Sequence, residues 1–246
     1  MGEPSRALES SRTKVSCKDC ALGNLCLPHG LDSTEVEHLD RVVLRHRLLA
    51  RGEHVFRAGD ACLSLYAVRS GSIKSYVSTE NGSEQIVDFH LPGELLALDG
   101  LEDERHTCSA LAMETTHICE LPVFQLERMC QLLPGLPRQL LRLIGREVAT
   151  DHAMLLLLGK KSAVERLATF LFNLCARFKQ RGFSEREFNL SMPRDDIANY
   201  LGLARETVSR LFTRFQEEGL LTVQRRYIRI HDLGRLQALA SPCAGD

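Results

Sequence analysis

Three cysteines fall within ten residues near the start of the chain, in the stretch CKDCALGNLC from Cys17 to Cys26. Sulfur at this spacing has three readings: ligands for a soft metal ion or cluster, a thiol–disulfide switch, or coincidence. A second group with chemistry to offer lies near the other end. In MPRDDIANYLGLARETVSRLFTRFQEEGLL, a helix expected over about 204–217 presents Arg205, Glu206, Ser209 and Arg210 on one side. Arginine takes guanine O6 and N7 together, glutamate accepts from cytosine N4, and serine serves either role. Residues 205–230 hold six Arg and three Glu, a local net of +3 in a chain whose net charge is −1. The basic surface is local, and it sits where base-reading side chains are found.

The elements around these residues say how they are held. Ala198 is small where two helices would cross, and Gly202 can take the left-handed turn that a helix–turn–helix needs. Val208 and Leu211 face back into the core. The following LLTVQRRYIRI reads as a β-hairpin wing with Arg225 and Arg226 near its turn, within reach of phosphate. Upstream, SAVERLATFLFNLCARFKQRG starts with Ser162 and Glu165 at capping-box spacing and stops at Gly182. Before it, Pro134 and Pro137 interrupt a helical pattern, and a long helix then runs to about Gly159. Leu141, Ile144, Val148, Asp151, Leu155 and Leu158 are spaced 3, 4, 3, 4, 3 along it, the seam of a parallel helix pair. A homodimer follows, because a helix–turn–helix reader spans two half-sites. Asp151 breaks the apolar line. Two carboxylates about 5 Å apart repel by roughly 3 kcal/mol at an effective dielectric of about 20. This residue is either a repulsive switch, a register-setting polar group, or an aspartate that bends out to water.

The N-terminal half has a different texture. LDSTEVEHLDRVVL over 31–44 reads as a short helix, and from about His54 to Val123 short β-branched and aromatic runs are cut by Gly, Pro, Asn and Asp. That is the pattern of a barrel, sandwich or jelly roll. The class is α+β, with a tail and cysteine loop over 1–30, a β domain over 31–123, connecting and dimerisation helices over 124–159, and a winged helix–turn–helix over 160–246. The polar first 16 residues read as a mobile tail without a signal-peptide core. The run Met154–Leu158 is far too short for a membrane span. Nine cysteines without an export signal imply a reducing compartment, the cytoplasm, and thiols or metal ligands rather than a disulfide framework. No phosphate loop, nucleophile elbow or paired-carboxylate pocket can be placed, so an enzyme is not expected.

The order of β domain, long helix and winged helix–turn–helix resembles the cyclic-AMP receptor protein superfamily, which implies a β-roll. Members that bind cyclic nucleotide carry a phosphate cassette ending in an arginine–serine pair. Here PGELLALDGLEDERHTCSALA places Cys108 before Ser109 and Asp99 nearby, which argues against a nucleotide ligand; Arg105 is the one cation able to substitute. Within that superfamily, C-x-x-C-x-x-x-x-x-C with a later cysteine in ICELP resembles the oxygen-sensing regulators of fumarate and nitrate reduction. The match runs on through FHLPGELLALDG, MLLLLGKK, NLCARFKQRGFSEREF and NYLGLARETVSR.

The resemblance implies that Cys17, Cys20, Cys26 and Cys119 hold a 4Fe–4S cluster. It also implies that the cluster-bearing dimer binds inverted repeats of TTGAT-type half-sites without oxygen, and that oxygen returns it to monomers. Spacing alone leaves a structural zinc open, which would give a constitutive regulator, and nitric-oxide- or nucleotide-responsive relatives share the fold. Cys62, Cys108, Cys130, Cys175 and Cys243 read as buried or incidental thiols, and His29 and His90 stand behind the cysteines as ligands. Glu206, Ser209 and Arg210 match the family's reading set, whereas Arg205 stands where an aliphatic residue is usual. The turn STENGSEQ, Ser78 to Gln85, matches a loop that contacts RNA polymerase, the further partner implied.

Overall fold

The computed structural model describes residues 16–79 and 81–240. Cys243 lies outside them. The chain enters through a series of tight turns over 16–30 and then α1 (Ser33–Val42), whose Asp32 and Glu35 form a reciprocal capping box. Eight strands follow: β1 (Leu44–Leu49), β2 (His54–Phe56), β3 (Ser64–Ser70), β4 (Ile73–Ser78), β5 (Glu84–His90), β6 (Leu95–Leu96), β7 (Ser109–Ala112) and β8 (Thr116–Pro122). They form two antiparallel four-stranded sheets, β1-β8-β3-β6 and β2-β7-β4-β5. Leu49, Leu65, Ile73, Ala110 and Ile118 are buried between these sheets. This is the expected β-roll.

Two helices leave the roll. α2 (Val123–Leu132) ends before Pro134, and α3 (Gly135–Lys160) is the long helix. Pro137 does not interrupt it. It sits in the first turn of α3, where a missing N–H costs nothing. α4 (Ala163–Gln180) opens on the Ser162–Glu165 capping box and ends before Gly182, whose φ is +75°. The C-terminal unit is completed by β9 (Glu187–Asn189), α5 (Arg194–Tyr200), α6 (Arg205–Glu217), the wing strands β10 (Leu221–Gln224) and β11 (Tyr227–Ile230), and α7 (Leu233–Ala240). The wing sheet has the order β10-β11-β9.

The reader does not hang loose. One apolar cluster joins Tyr76, Ile86, Phe89, Leu91 and Met113 of the β-roll to α4, α5 and α6. The ring of Phe89 lies 5.0 Å from that of Tyr200. On the edge of β5, the Ile86 amide donates to Asn199 Oδ1 at 2.6 Å, and Asn199 Nδ2 donates to the Glu84 carbonyl at 2.6 Å. Lys74 pairs with Asp196 at 3.0 Å. Most strongly, Glu94 receives Arg177 Nε at 3.0 Å on Oε1, Arg177 Nη2 on Oε2, and Arg181 Nη2 at 2.5 Å on Oε1. Burial pushes the Glu94 carboxyl up, but the two guanidiniums outweigh it and hold the group down at about 2.

This clamp has a definite sign in pH. Glu94 folds with its carboxyl below the ordinary 4.5, so its contribution is present above that value and is lost as pH falls toward about 2. Glu94→Gln is expected to lower unfolding stability at neutral pH by about 3 kcal/mol, because it leaves two arginines facing a neutral partner. The gap from wild type closes on acidification below 4.5. Denaturant titrations of both proteins check this; equal midpoints at neutral pH would contradict it.

Candidate functional site: a cysteine cavity and a DNA reader

The first 15 described residues wind through successive turns. The Cys20 amide donates to the Cys17 carbonyl, Gly23 to Cys20, Cys26 to Leu22 and His29 to Cys26, at 3.4, 3.0, 3.1 and 3.1 Å. Such turns return every third or fourth side chain to one side, which is the use of the C-x-x-C spacing. Leu27, with 4% of its surface exposed, anchors the loop in the roll. Cys119 comes from β8, an interior strand of its sheet, paired with Arg45 on β1 and Ala67 on β3. Cys17, Cys20, Cys26 and Cys119 line one cavity, walled by Leu39, Val43, Leu65, Leu95 and Leu121. These are the four positions the resemblance named, and all four line this cavity.

The donor set fits the group the resemblance implied. Four sulfurs in hydrocarbon surroundings suit soft metals and iron–sulfur clusters rather than hard cations. Among the described residues no three His, Cys, Asp or Glu side chains converge tightly enough to hold one metal ion. Burial, with the other three thiols adding to it, pushes the Cys26 thiol up to about 12, so the group stays protonated until a cation binds it. Neither His29 nor His90 lines the cavity. His90 is buried and shares a 2.8 Å hydrogen bond with the Ser75 hydroxyl. Cys62, Cys108, Cys130 and Cys175 also lie away from it.

One residue of this site carried no signal in the sequence. Gln139, on α3 and only 4% exposed, donates from Nε2 to the Cys26 carbonyl at 3.2 Å. Its Oε1 is buried with no hydrogen-bond partner among the described residues. Gln139 ties the cysteine loop to the helix that carries Leu141, Ile144, Val148, Asp151 and Leu155. The four apolar members of that set are 70%, 38%, 46% and 69% exposed, a stripe that the described residues leave uncovered. Asp151 is exposed between them. Leu158 departs from the set: it is half-buried and packs against the core of the reader, beside Gly202.

The segment that the resemblance sets against the phosphate cassette is held together by its own aspartate. Asp99 Oδ2 accepts from the amides of Thr107 at 2.8 Å and Cys108 at 3.2 Å, and from the Thr107 hydroxyl at 3.2 Å. The Cys108 thiol points at the same oxygen, 3.4 Å away. Burial raises the Asp99 carboxyl, but these donors outweigh it and hold it below its usual value. Arg105 serves elsewhere, donating to the Gly59 carbonyl at 2.7 Å. The amides an anion would need are already taken by a carboxylate.

In the reader, Gly202 has φ +59°, and the Leu203 amide donates to the Ala198 carbonyl at 2.9 Å across the turn. Val208 and Leu211 are buried, while Arg205, Glu206, Ser209 and Arg210 are all exposed on α6. Arg225, whose φ is +56°, and Arg226 make the exposed wing turn. The STENGSEQ turn is the β4–β5 hairpin, and its last residue is engaged: Gln85 Nε2 donates to the Asn199 carbonyl at 2.8 Å.

Comparison with known proteins agrees with this anatomy. Residues 46–132 match the cyclic nucleotide-binding domain family and residues 165–239 the Crp-like helix-turn-helix domain family. The chain is 51% identical over 227 residues to the transcriptional activator protein anr of Pseudomonas aeruginosa, covering 92% of this chain and 93% of that one. It is 46% identical over 235 residues to the fumarate and nitrate reduction regulatory protein of Salmonella typhimurium, covering 96% and 94%. FixK2 from Bradyrhizobium japonicum superimposes with a TM-score of 0.75 at 30% identity, over 82% of this chain and 100% of that one. The first two relatives are named as a transcriptional activator and a regulatory protein. No described helix is long and apolar enough to cross a membrane.

Asp99 is therefore a structural anion. Asp99→Ala leaves two amides unpaired and is expected to cost about 2 kcal/mol of stability. The difference from wild type shrinks as pH falls below 3.8, where the carboxyl begins to be protonated in the unfolded chain. Urea titrations across that range check it, and an unchanged midpoint for the variant at neutral pH would contradict it.

Proposed function

The chain belongs to the family of fumarate and nitrate reduction regulators, and we propose that it is the oxygen-responsive member this implies, working in the cytoplasm as a homodimer on inverted repeats of TTGAT-type half-sites. Cys17, Cys20, Cys26 and Cys119 would hold a 4Fe–4S cluster. The observation that carries the reading is the meeting of those four thiols in one cavity, three from a turn-rich loop and one from a sheet interior. When bound, the cluster supplies a centre that oxygen oxidises.

The chain's own part is mechanical. With all four thiols held, the loop is fixed against β8, and the Cys26 carbonyl keeps Gln139 and the start of α3 in one position. Ordered in this way, the exposed stripe of α3 offers Leu141, Ile144, Val148 and Leu155 to a second copy. Asp151 opposes that pairing by the few kcal/mol of like-charge repulsion worked out above. With the thiols released, the loop no longer stiffens α3 and the repulsion prevails. Paired subunits place two α6 helices one turn of DNA apart, with Glu206, Ser209 and Arg210 toward base edges and Arg225 and Arg226 toward phosphate. The exposed apex of the β4–β5 hairpin, around Asn81 and Gly82, is offered to RNA polymerase.

Two experiments test this. Protein purified under anoxia is expected to contain iron and acid-labile sulfide, with thiolate-to-iron absorption that bleaches in air; serine at any of the four positions is expected to abolish it. Protein without iron, or with zinc in its place, would overturn the cluster. Separately, Asp151→Ala is expected to sediment as a dimer and bind its operator in air. A variant that stays monomeric in air would overturn the seam argument and leave the cluster untouched.

A further inference from the structure

One ion pair at the DNA-facing end has no place in the roles above. Arg205 is the first residue of α6, the end a recognition helix presents to base edges. Its Nε lies 3.1 Å from Oδ1 of Asp195, in the first turn of α5. The two side chains are 63% and 61% exposed. A pair so open to water adds little to folding, so its effect lies in what it orders.

A guanidinium is a planar fork of five N–H donors. A carboxylate at Nε engages the fork at its inner corner and occupies neither terminal amino group. Guanine O6 and N7 accept two such donors side by side. An unrestrained arginine must give up rotamer freedom to make that contact, and one already held gives up less. The support beneath is stiff. The neighbouring Arg194 lays its guanidinium over the Phe212 ring of α6, 3.3 Å from the centroid, so the first turn of α5 is tied directly to α6.

We propose that Asp195 is a specificity-determining residue: it positions Arg205 so that the terminal amino groups meet a guanine in each half-site. The inference rests on the DNA-reading role proposed above. Asp195 touches no base itself. Its own charge repels phosphate, so it lowers affinity for DNA in general while sharpening the choice of sequence. Those two effects have opposite signs, and a merely structural aspartate at a helix start would produce the first without the second.

The test is selection from duplexes carrying an inverted repeat randomised in both half-sites, using full-length protein purified under anoxia. Wild type is expected to enrich guanine at one position of each half-site, and Arg205→Ala to lose that enrichment. Asp195→Ala is expected to weaken the same preference about threefold, with affinity for unrelated DNA equal to or above wild type. Asp195→Glu is expected to restore part of the preference. In an Arg205→Ala background, Asp195→Ala is expected to change no base preference. The proposal is overturned if Asp195→Ala keeps or sharpens the guanine preference, or if it shifts base choice when Arg205 is absent. If Arg205→Ala leaves every preference intact, the proposal fails while the DNA-reading role stands. A wild-type protein that enriches no sequence would overturn that role as well.

Discussion

The hold of one short loop on one strand sets the terms for the rest of this molecule. Residues 16–30 contain no regular helix or strand, and Leu27 is their one fully buried apolar anchor. A segment of turns with so little buried area has a small opening free energy. Its position against β8 is therefore open to change by whatever binds Cys17, Cys20 and Cys26 together with Cys119. The receiving side is the opposite in character: Cys119 sits between two neighbours in a four-stranded sheet. Under the ligation proposed above, a few ligand bonds would join a soft element to a stiff one, and occupancy of the cavity would be equivalent to placement of the loop.

Two contacts carry that placement outward. Gln139 takes it to α3 through the Cys26 carbonyl. The other runs past Gly93, whose φ is +90° and whose hydrogen faces Leu25 so closely that a Cβ there would stand 3.0 Å from the Leu25 side chain. The next residue is Glu94, which grips Arg177 and Arg181 of the helix leading into the reader. Loop, α3 and the helix–turn–helix unit are thus joined through the Gln139 hydrogen bond, the Gly93–Leu25 contact and the buried Glu94 clamp, whose polar members cost most when left half-satisfied.

How much of this could be read from residue order follows from how local each signal is. Capping boxes, the left-handed Gly202 and the buried Val208 and Leu211 act within a few residues, and helices α4 to α6 fall where the pattern put them. The cysteine quartet was legible only through resemblance, because Cys119 lies in another domain and nothing in spacing connects it to Cys26. Strand β1 went unseen: LRHRLL lacks an apolar run, its Leu44 and Leu48 face water, and only pairing with the distant β8 makes it a strand. Helix α7 was missed although Asp232 caps it, accepting from the Arg235 amide at 2.9 Å. Pro137 was misread because a proline's meaning depends on whether it falls within the first turn of a helix or beyond it. Gln139 and Asp195 matter through partners more than a hundred and about ten residues away respectively, at distances no periodicity reports.

The central claim is that the state of the cysteine loop sets the state of α3. Amide hydrogen exchange, followed by mass spectrometry on protein kept under anoxia and on the same sample after air, measures both elements at once. The account expects protection to fall together in residues 16–30 and in α3 from Gly135 to about Thr150, with the β-roll strands unchanged. Loss of protection confined to the loop, with α3 exchanging at the same rate before and after air, would contradict it.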